Sequence, residues 1–241
     1  MLISDKGYTV VELLIAMAIV GIVLMGIYDL AISSSRIYLD QNAIVEMQAD
    51  GRAAMDFLAR ELRLAFGNPT ISTATTNNDT ISFNRVEDTG YSSGGNSATT
   101  LNDTRKTWQS NVFDPSANSA YTVRIISGTG NGQVRTIDDN SSTQLTISQA
   151  WGTIPDSTSI YVITKSKGFT RTSASDNILR YRIGDTGDDN PLVENITSHS
   201  FSQPNPNTIR ITLTARTRNI DPNTKQYRSY TLTENVRIRN M

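Results

Sequence analysis

Hydrophobic and polar residues follow three different rhythms along this chain of 241 residues. From Tyr8 to Tyr28 runs an almost continuous apolar block, 21 residues in which Glu12 alone is charged. At 1.5 Å rise per residue the block predicts about 31 Å of helix, enough to cross a hydrocarbon core of about 30 Å. Beyond it Ile37, Ile44, Gly51, Met55, Leu58, Leu62 and Ala65 recur at spacings of seven, three and four. That is one apolar stripe of an amphipathic helix, suited to packing on a sheet. No proline occurs before Pro69, so residues 8–66 predict about 88 Å of unbroken helix. Asp56 and Arg60, four apart, are spaced for a surface pair, and Gly67-Asn68-Pro69 reads as the stop.

After Pro69 the rhythm becomes alternation. Thr80–Val86, Ile178–Ile183, Thr208–Ala215 and Tyr230–Ile238 place apolar residues at or near every second position and read as strands. The last two flank the polar turn 219–225, which predicts an antiparallel hairpin whose inner face covers the helix stripe. Residues 89–166 do not fit that frame. A Gly/Ser-rich stretch from Gly90 to Thr100 marks a boundary. The short strands Tyr121–Ile126, Gln133–Ile137, Gln144–Ser148 and Ser159–Ile163 follow it, and they suggest a small all-β module inserted into a loop of the sheet. This module weakly resembles β-rich units that recur in bacterial surface and phage-related proteins.

Composition narrows the chemistry. The net charge of −1 predicts no chain-wide attraction to nucleic acid or anionic lipid, and leaves room for local basic patches. With no cysteine there is no thiol nucleophile, disulfide or cysteine metal site. The one histidine, His199, lies in the alternating stretch Ile196–Phe201 and reads as a strand residue rather than the base of a triad. Trp108 and Trp151, the only tryptophans, both fall in the insert. They could face a glycan, but core packing is the simpler reading. The turn Ser127–Gly132 lacks the Gly-Lys-Ser/Thr of a phosphate loop. Asp185, Asp188 and Asp189 are dense enough in oxygen to be calcium candidates, although such runs are commonly solvated turns. The expectation is a chain without a cofactor and without catalysis.

Glu12 carries the functional reading. A carboxylate in an apolar span is costly and is kept where it has a partner. A secretory signal peptide has a shorter apolar stretch, with its cleavage site after it, and fits poorly here. The string Lys6-Gly7-Tyr8-Thr9-Val10-Val11-Glu12-Leu13-Leu14-Ile15-Ala16 resembles the prepilin leader and cleavage motif of type IV pilins and type II secretion pseudopilins. The resemblance implies cleavage between Gly7 and Tyr8 by a prepilin peptidase, N-methylation of Tyr8, and a role for Glu12 in assembly. There the α-amino cation of Tyr8 in one subunit would pair with Glu12 of the next, so that two costly charges neutralise each other. Tyr8 stands where phenylalanine is commoner, and Asp29 where many major pilins carry proline. The segment Gly51–Arg63 resembles minor pilins of the PilW type and pseudopilins of the PulJ/GspJ type, and the 192–197 stretch and the final hairpin look PilW-like.

These observations together predict an α+β pilin fold, a long N-terminal helix on an antiparallel sheet with an inserted all-β module. The leader would be 1–7, the transmembrane half of the helix 8–30 and its amphipathic half 31–67. The sheet domain would take 68–88 and 167–241, and the insert 89–166. The resemblance implies a minor pilin of a type IV pilus priming or tip complex, anchored by one span in a bacterial inner membrane with its C-terminal part extracytoplasmic, then carried to the cell surface. Its partners would be other pilins, the peptidase and the inner-membrane assembly platform. A J-type pseudopilin of type II secretion and an adhesive module carried on a pilin are the alternatives.

Overall fold

The computed structural model describes residues 9–72, 79–114, 121–170, 177–184, 189–221 and 224–238. One helix, α1 (Val10–Arg63), opens the fold. Strands β1 (Ala65–Ser72), β2 (Thr80–Tyr91) and β3 (Thr100–Asn102) follow, then β4 (Tyr121–Ser127), β5 (Val134–Asn140) and β6 (Gln144–Ile147). The long β7 (Ile160–Thr170) leads to β8 (Leu179–Ile183) and β9 (Asp189–Val193). The chain closes with β10 (Ile196–Asn205), β11 (Thr208–Arg216) and β12 (Ser229–Arg237). This is the predicted α+β layout, a long apolar N-terminal helix on antiparallel sheet.

The helix ends three residues earlier than the glycine–proline signal suggests. Arg63 is its last residue, and Leu64 caps it by donating to Glu61 and Leu62. Ala65 already belongs to β1, and Gly67-Asn68-Pro69 lies in an irregularity of the β1–β2 ladder between Phe66 and Thr70. Gly67 takes φ +72°, a conformation other residues rarely adopt. The stripe is also shorter than its periodicity implied. Gly51, Met55, Leu58 and Leu62 are buried and Ile44 is partly so, but Ile37 is 55 % exposed. Met47, Ala54 and Ala59 complete the buried face. At Asp56 and Arg60 the guanidinium carbon sits 5.3 Å from the Phe57 ring, a cation–π contact the charge pattern did not signal.

Two sheets cover the helix end. β10-β11-β12 form an antiparallel three-stranded sheet, with β11 and β12 paired from Thr208↔Arg237 to Arg216↔Ser229. Ile209, Ile211, Leu213 and Ala215 alternate inward from β11 onto the helix, as their spacing predicted. The second sheet is nine-stranded, with β1-β2-β7-β4-β5-β6-β3 in order and β8-β9 attached to β7. The fork lies on β7. Its first half, Ile160–Lys165, pairs with β4, while Lys167–Thr170 pair with β8 on the same edge. Positions 89 and 166 therefore fall inside continuous strands, for β2 and β7 stay paired from Ile81↔Phe169 to Tyr91↔Ile160.

Burial separates where the sheet forks. Helix residues, Phe83, Phe169 and the β10–β12 sheet share one apolar core. Leu101, Phe113, Val123, Ile125, Ile137, Leu145, Trp151, Tyr161 and Ile163 form another. The helix is tied to both sheets by a polar junction. Glu61, 6 % exposed, accepts from the Tyr181 hydroxyl of β8 at 2.9 Å and forms an ion pair with Arg85 of β2, whose Nε lies 3.1 Å from its carboxylate. Burial and the Glu61 carboxylate push the Tyr181 hydroxyl pKa well above its ordinary range.

Candidate functional site

The N-terminal half of α1 is bare. Side chains from Val10 to Leu30, among them Ile15, Met17, Ile22, Leu24 and Met25, are more than half exposed, and no residue of the most apolar window is buried. Exposure of that much hydrocarbon in water would be strongly unfavourable, at roughly 25 cal/mol per Å². Lipid or the helices of other subunits must cover it. The length and apolarity fit a single-pass membrane anchor.

Thr9 starts this helix. Its backbone is extended (φ −77°, ψ 154°) and its hydroxyl accepts from the Glu12 amide at 3.3 Å. In return Glu12 Oε2 accepts from the Thr9 amide at 2.9 Å and from its hydroxyl at 3.1 Å. This capping box satisfies donors that a helix start leaves open. It also gives the carboxylate a local partner inside an apolar segment, before any second subunit is present. Thr9 was not singled out from sequence, although Thr-x-x-Glu ahead of an apolar run is a readable signature. Gly7 and Tyr8 lie outside the described residues.

Those of the remaining candidates that the structure describes are tied to neighbouring elements. The Trp151 ring is buried in the second core, and its Nε1 donates to the Thr100 carbonyl at 3.1 Å. Trp108 is half-buried, donates to Asp88 at 2.7 Å and meets the Phe113 ring edge-on at 5.7 Å. His199 is buried, its Nε2 donates to the Asp79 carbonyl at 2.7 Å, and its ring stands edge-on to Phe201 at 5.6 Å. Asp189 is held by Arg182 through two contacts, Nε at 2.8 Å and the terminal nitrogen at 3.2 Å. Asp185 and Asp188 lie outside the described residues, and no group of three or more metal-ligating side chains occurs among the described ones. The turn Ser127–Gly132 joins β4 to β5, and Gly128 packs so closely on Thr158 that a Cβ there has no room.

Sequence reasoning also passed over a buried carboxylate in the insert. Asp103, 1 % exposed, accepts from the Tyr161 hydroxyl at 2.9 Å, the Arg105 amide at 3.1 Å and Arg105 Nε at 3.1 Å. Burial pushes its pKa up, but the bonds from Tyr161 and Arg105 outweigh this and hold it below the ordinary carboxylate value. Gly90 lies against both Asp103 and Tyr161, leaving no space for a side chain. The cluster fastens β2, β3 and β7 together.

Residues 3–28 match the prokaryotic N-terminal methylation motif. The N-terminal segment is therefore type IV pilin-like, and the bare helix behind it fits a pilin anchor. No curated protein and no solved structure matches the chain.

Proposed function

We infer that the chain is a minor pilin, a non-catalytic subunit that enters a type IV pilus priming or tip complex through its N-terminal helix. The carrying observation is the methylation motif at residues 3–28 followed by a bare apolar helix whose one acid sits at its start. In this reading the leader 1–7 is removed between Gly7 and Tyr8 and Tyr8 is methylated. Glu12 then exchanges its Thr9 partner for the new amine of a neighbouring subunit. The exchange is chemically reasonable because the capping bonds are individually modest, about 1 kcal/mol each, whereas pairing with a cation in lipid is stronger. The J-type pseudopilin reading shares every one of these steps and differs only in the apparatus that receives the subunit.

Intact-mass measurement of the protein from its native membrane tests the processing step. The expected product begins at an N-methylated Tyr8. Gly7→Ala should leave the leader in place, and Glu12→Ala should be processed yet fail to join other pilin-like subunits in cross-linking. A working protein that keeps residues 1–7 would overturn the reading. The absence of catalysis is supported by the placement of His199 against Asp79 and Phe201, and His199→Gln in a folded variant is expected to leave function intact.

A further inference from the structure

A strand at the edge of a sheet offers its backbone to another chain, and proteins ordinarily blunt such edges. Five strands end the two sheets here, and four of them are blunted. β3 is three residues long, β9 carries Pro191 in its middle, and β1 is broken at Gly67-Asn68-Pro69. β10 is capped, because the Phe201 amide donates to the buried Asp79 carboxylate at 2.9 Å. β12 has no such device. Its nine residues pair with β11 in nine consecutive registers without a bulge, a straight edge of about 30 Å. At its ends the Thr217 amide donates to the Arg228 carbonyl at 2.8 Å and the Ile238 amide to the Asn207 carbonyl at 2.9 Å, which fixes the phase of the ladder. Residues 230, 232, 234 and 236 therefore turn their backbone groups to β11, and Ser229, Thr231, Thr233, Asn235 and Arg237 turn theirs away. Among the described residues no hydrogen bond reaches those outward amides and carbonyls.

This edge is held ready. Arg228, beside its first residue, bonds Asp40 of α1 and the buried Asp221 at 2.9 Å each, and Glu234 pairs with Arg63 at 3.1 Å. A strand already ordered costs little to extend. The outer face of β11 and β12 carries Arg210, Arg216 and Arg237 and no carboxylate. The loop between the two strands, which holds Arg218, Lys225 and Arg228, faces Arg36 across a cleft. Asp40, Asp221, Glu194 and Glu234 are each already paired with an arginine. The surroundings of the edge favour an acidic partner.

A second copy of the chain does not fit. β12 against β12 across a two-fold axis is antiparallel, and that axis, normal to the sheet, reverses the helix packed along it. The two bare helices would leave in opposite directions, which one bilayer does not accommodate. Head-to-tail pairing needs a second open edge, and the other four are blunted.

We propose that the edge of β12 receives an extended strand of a different protein, one with acidic side chains at alternate positions. Its backbone bonds the outward groups from Ser229 to Arg237, and its carboxylates meet Arg210 and Arg237. The edge is open whether or not the chain enters a pilus, so this contact is separate from assembly through α1.

The probe is a nine-residue synthetic peptide of alternating valine and glutamate, added to the full-length chain in detergent micelles. Hydrogen exchange at the Thr231, Thr233 and Asn235 amides should slow about tenfold or more when the peptide is bound. The same peptide with lysine for glutamate should bind about tenfold or more weakly. Thr233→Pro removes one outward amide and leaves the β11 ladder intact, so it should weaken binding about three- to tenfold with an unchanged thermal midpoint. If its midpoint falls, Arg210→Glu with Arg237→Glu decides instead, by reversing the preference between the two peptides. Equal binding of both peptides by the parent, or protection away from β12, would refute the proposal. Protection of the same amides without peptide, growing with protein concentration, would assign the edge to a second copy and refute it equally. Removal of residues 1–7, read by mass, is independent of peptide binding, so either reading fails without the other.

Discussion

Glu12 and Asp103 are both carboxylates in unfavourable surroundings, and each is satisfied by donors close in the chain or in the sheet. Asp103 offers the cleaner test because it lies in the insert, away from the membrane. Its folded pKa is depressed below the ordinary value of 3.8, so its ionised form contributes stability that is present above that value. The contribution is lost as pH falls through the lower folded value. Asp103→Asn should therefore destabilise the protein at neutral pH by about 1–3 kcal/mol. It should also flatten the decline in stability below about pH 4. Urea unfolding of parent and variant at neutral and acid pH measures both effects, and parallel acid limbs would contradict the assignment.

Among the elements, the helix is where periodicity was most informative and where it overreached. Seven-, three- and four-residue spacing correctly marks Gly51, Met55, Leu58 and Leu62 as the buried face. The same spacing continues to Ile37, yet no sheet lies there to bury it. Gly51 shows what the pattern does not contain. A Cβ at this position would come 3.2 Å from Leu232 and 3.6 Å from Ala215, so the glycine lets β11 and β12 approach the helix closely. Gly51→Leu should force the two apart at a cost of about 1–3 kcal/mol despite its better helix propensity. Gly21→Leu, on the bare stretch with nothing within 4 Å, should leave the thermal midpoint of the sheet domain unchanged. Equal effects at the two positions would show that helix propensity, not packing, decides.

At the level of the whole molecule the insert is joined by strands rather than by a tether. β7 contributes to both cores with β2 paired along it, and the fork on β7 hands its edge from β4 to β8. Replacing residues 88–163 by a tight turn between Glu87 and Thr164 keeps the β2–β7 pairs from Ile81 to Val86 and the core beneath the helix. That variant is expected to unfold cooperatively and still to assemble through α1, while any attachment function carried by the insert is lost. Scanning calorimetry together with cross-linking to pilin-like partners checks it; failure to assemble in a cooperatively folded variant would place the insert inside the assembly machinery.

The elements that could be read from residue order alone are those governed by local rules. A long apolar block, a capping Thr-x-x-Glu and strict alternation in β11 each follow from backbone geometry and the solvent facing a single element. The anchor, its lone acid and the hairpin were therefore legible before any fold was known. What depends on segments far apart in the chain was not. The division into two sheets, the Glu61–Arg85–Tyr181 junction and the basic loop set against Arg36 exist only once distant strands meet. Core packing was the simpler reading of Trp108 and Trp151, but the partners that bury Trp151 and half-bury Trp108 are drawn from across the insert and do not show in spacing. Burial and charge pairing are properties of surroundings, and the surroundings are made by tertiary contact.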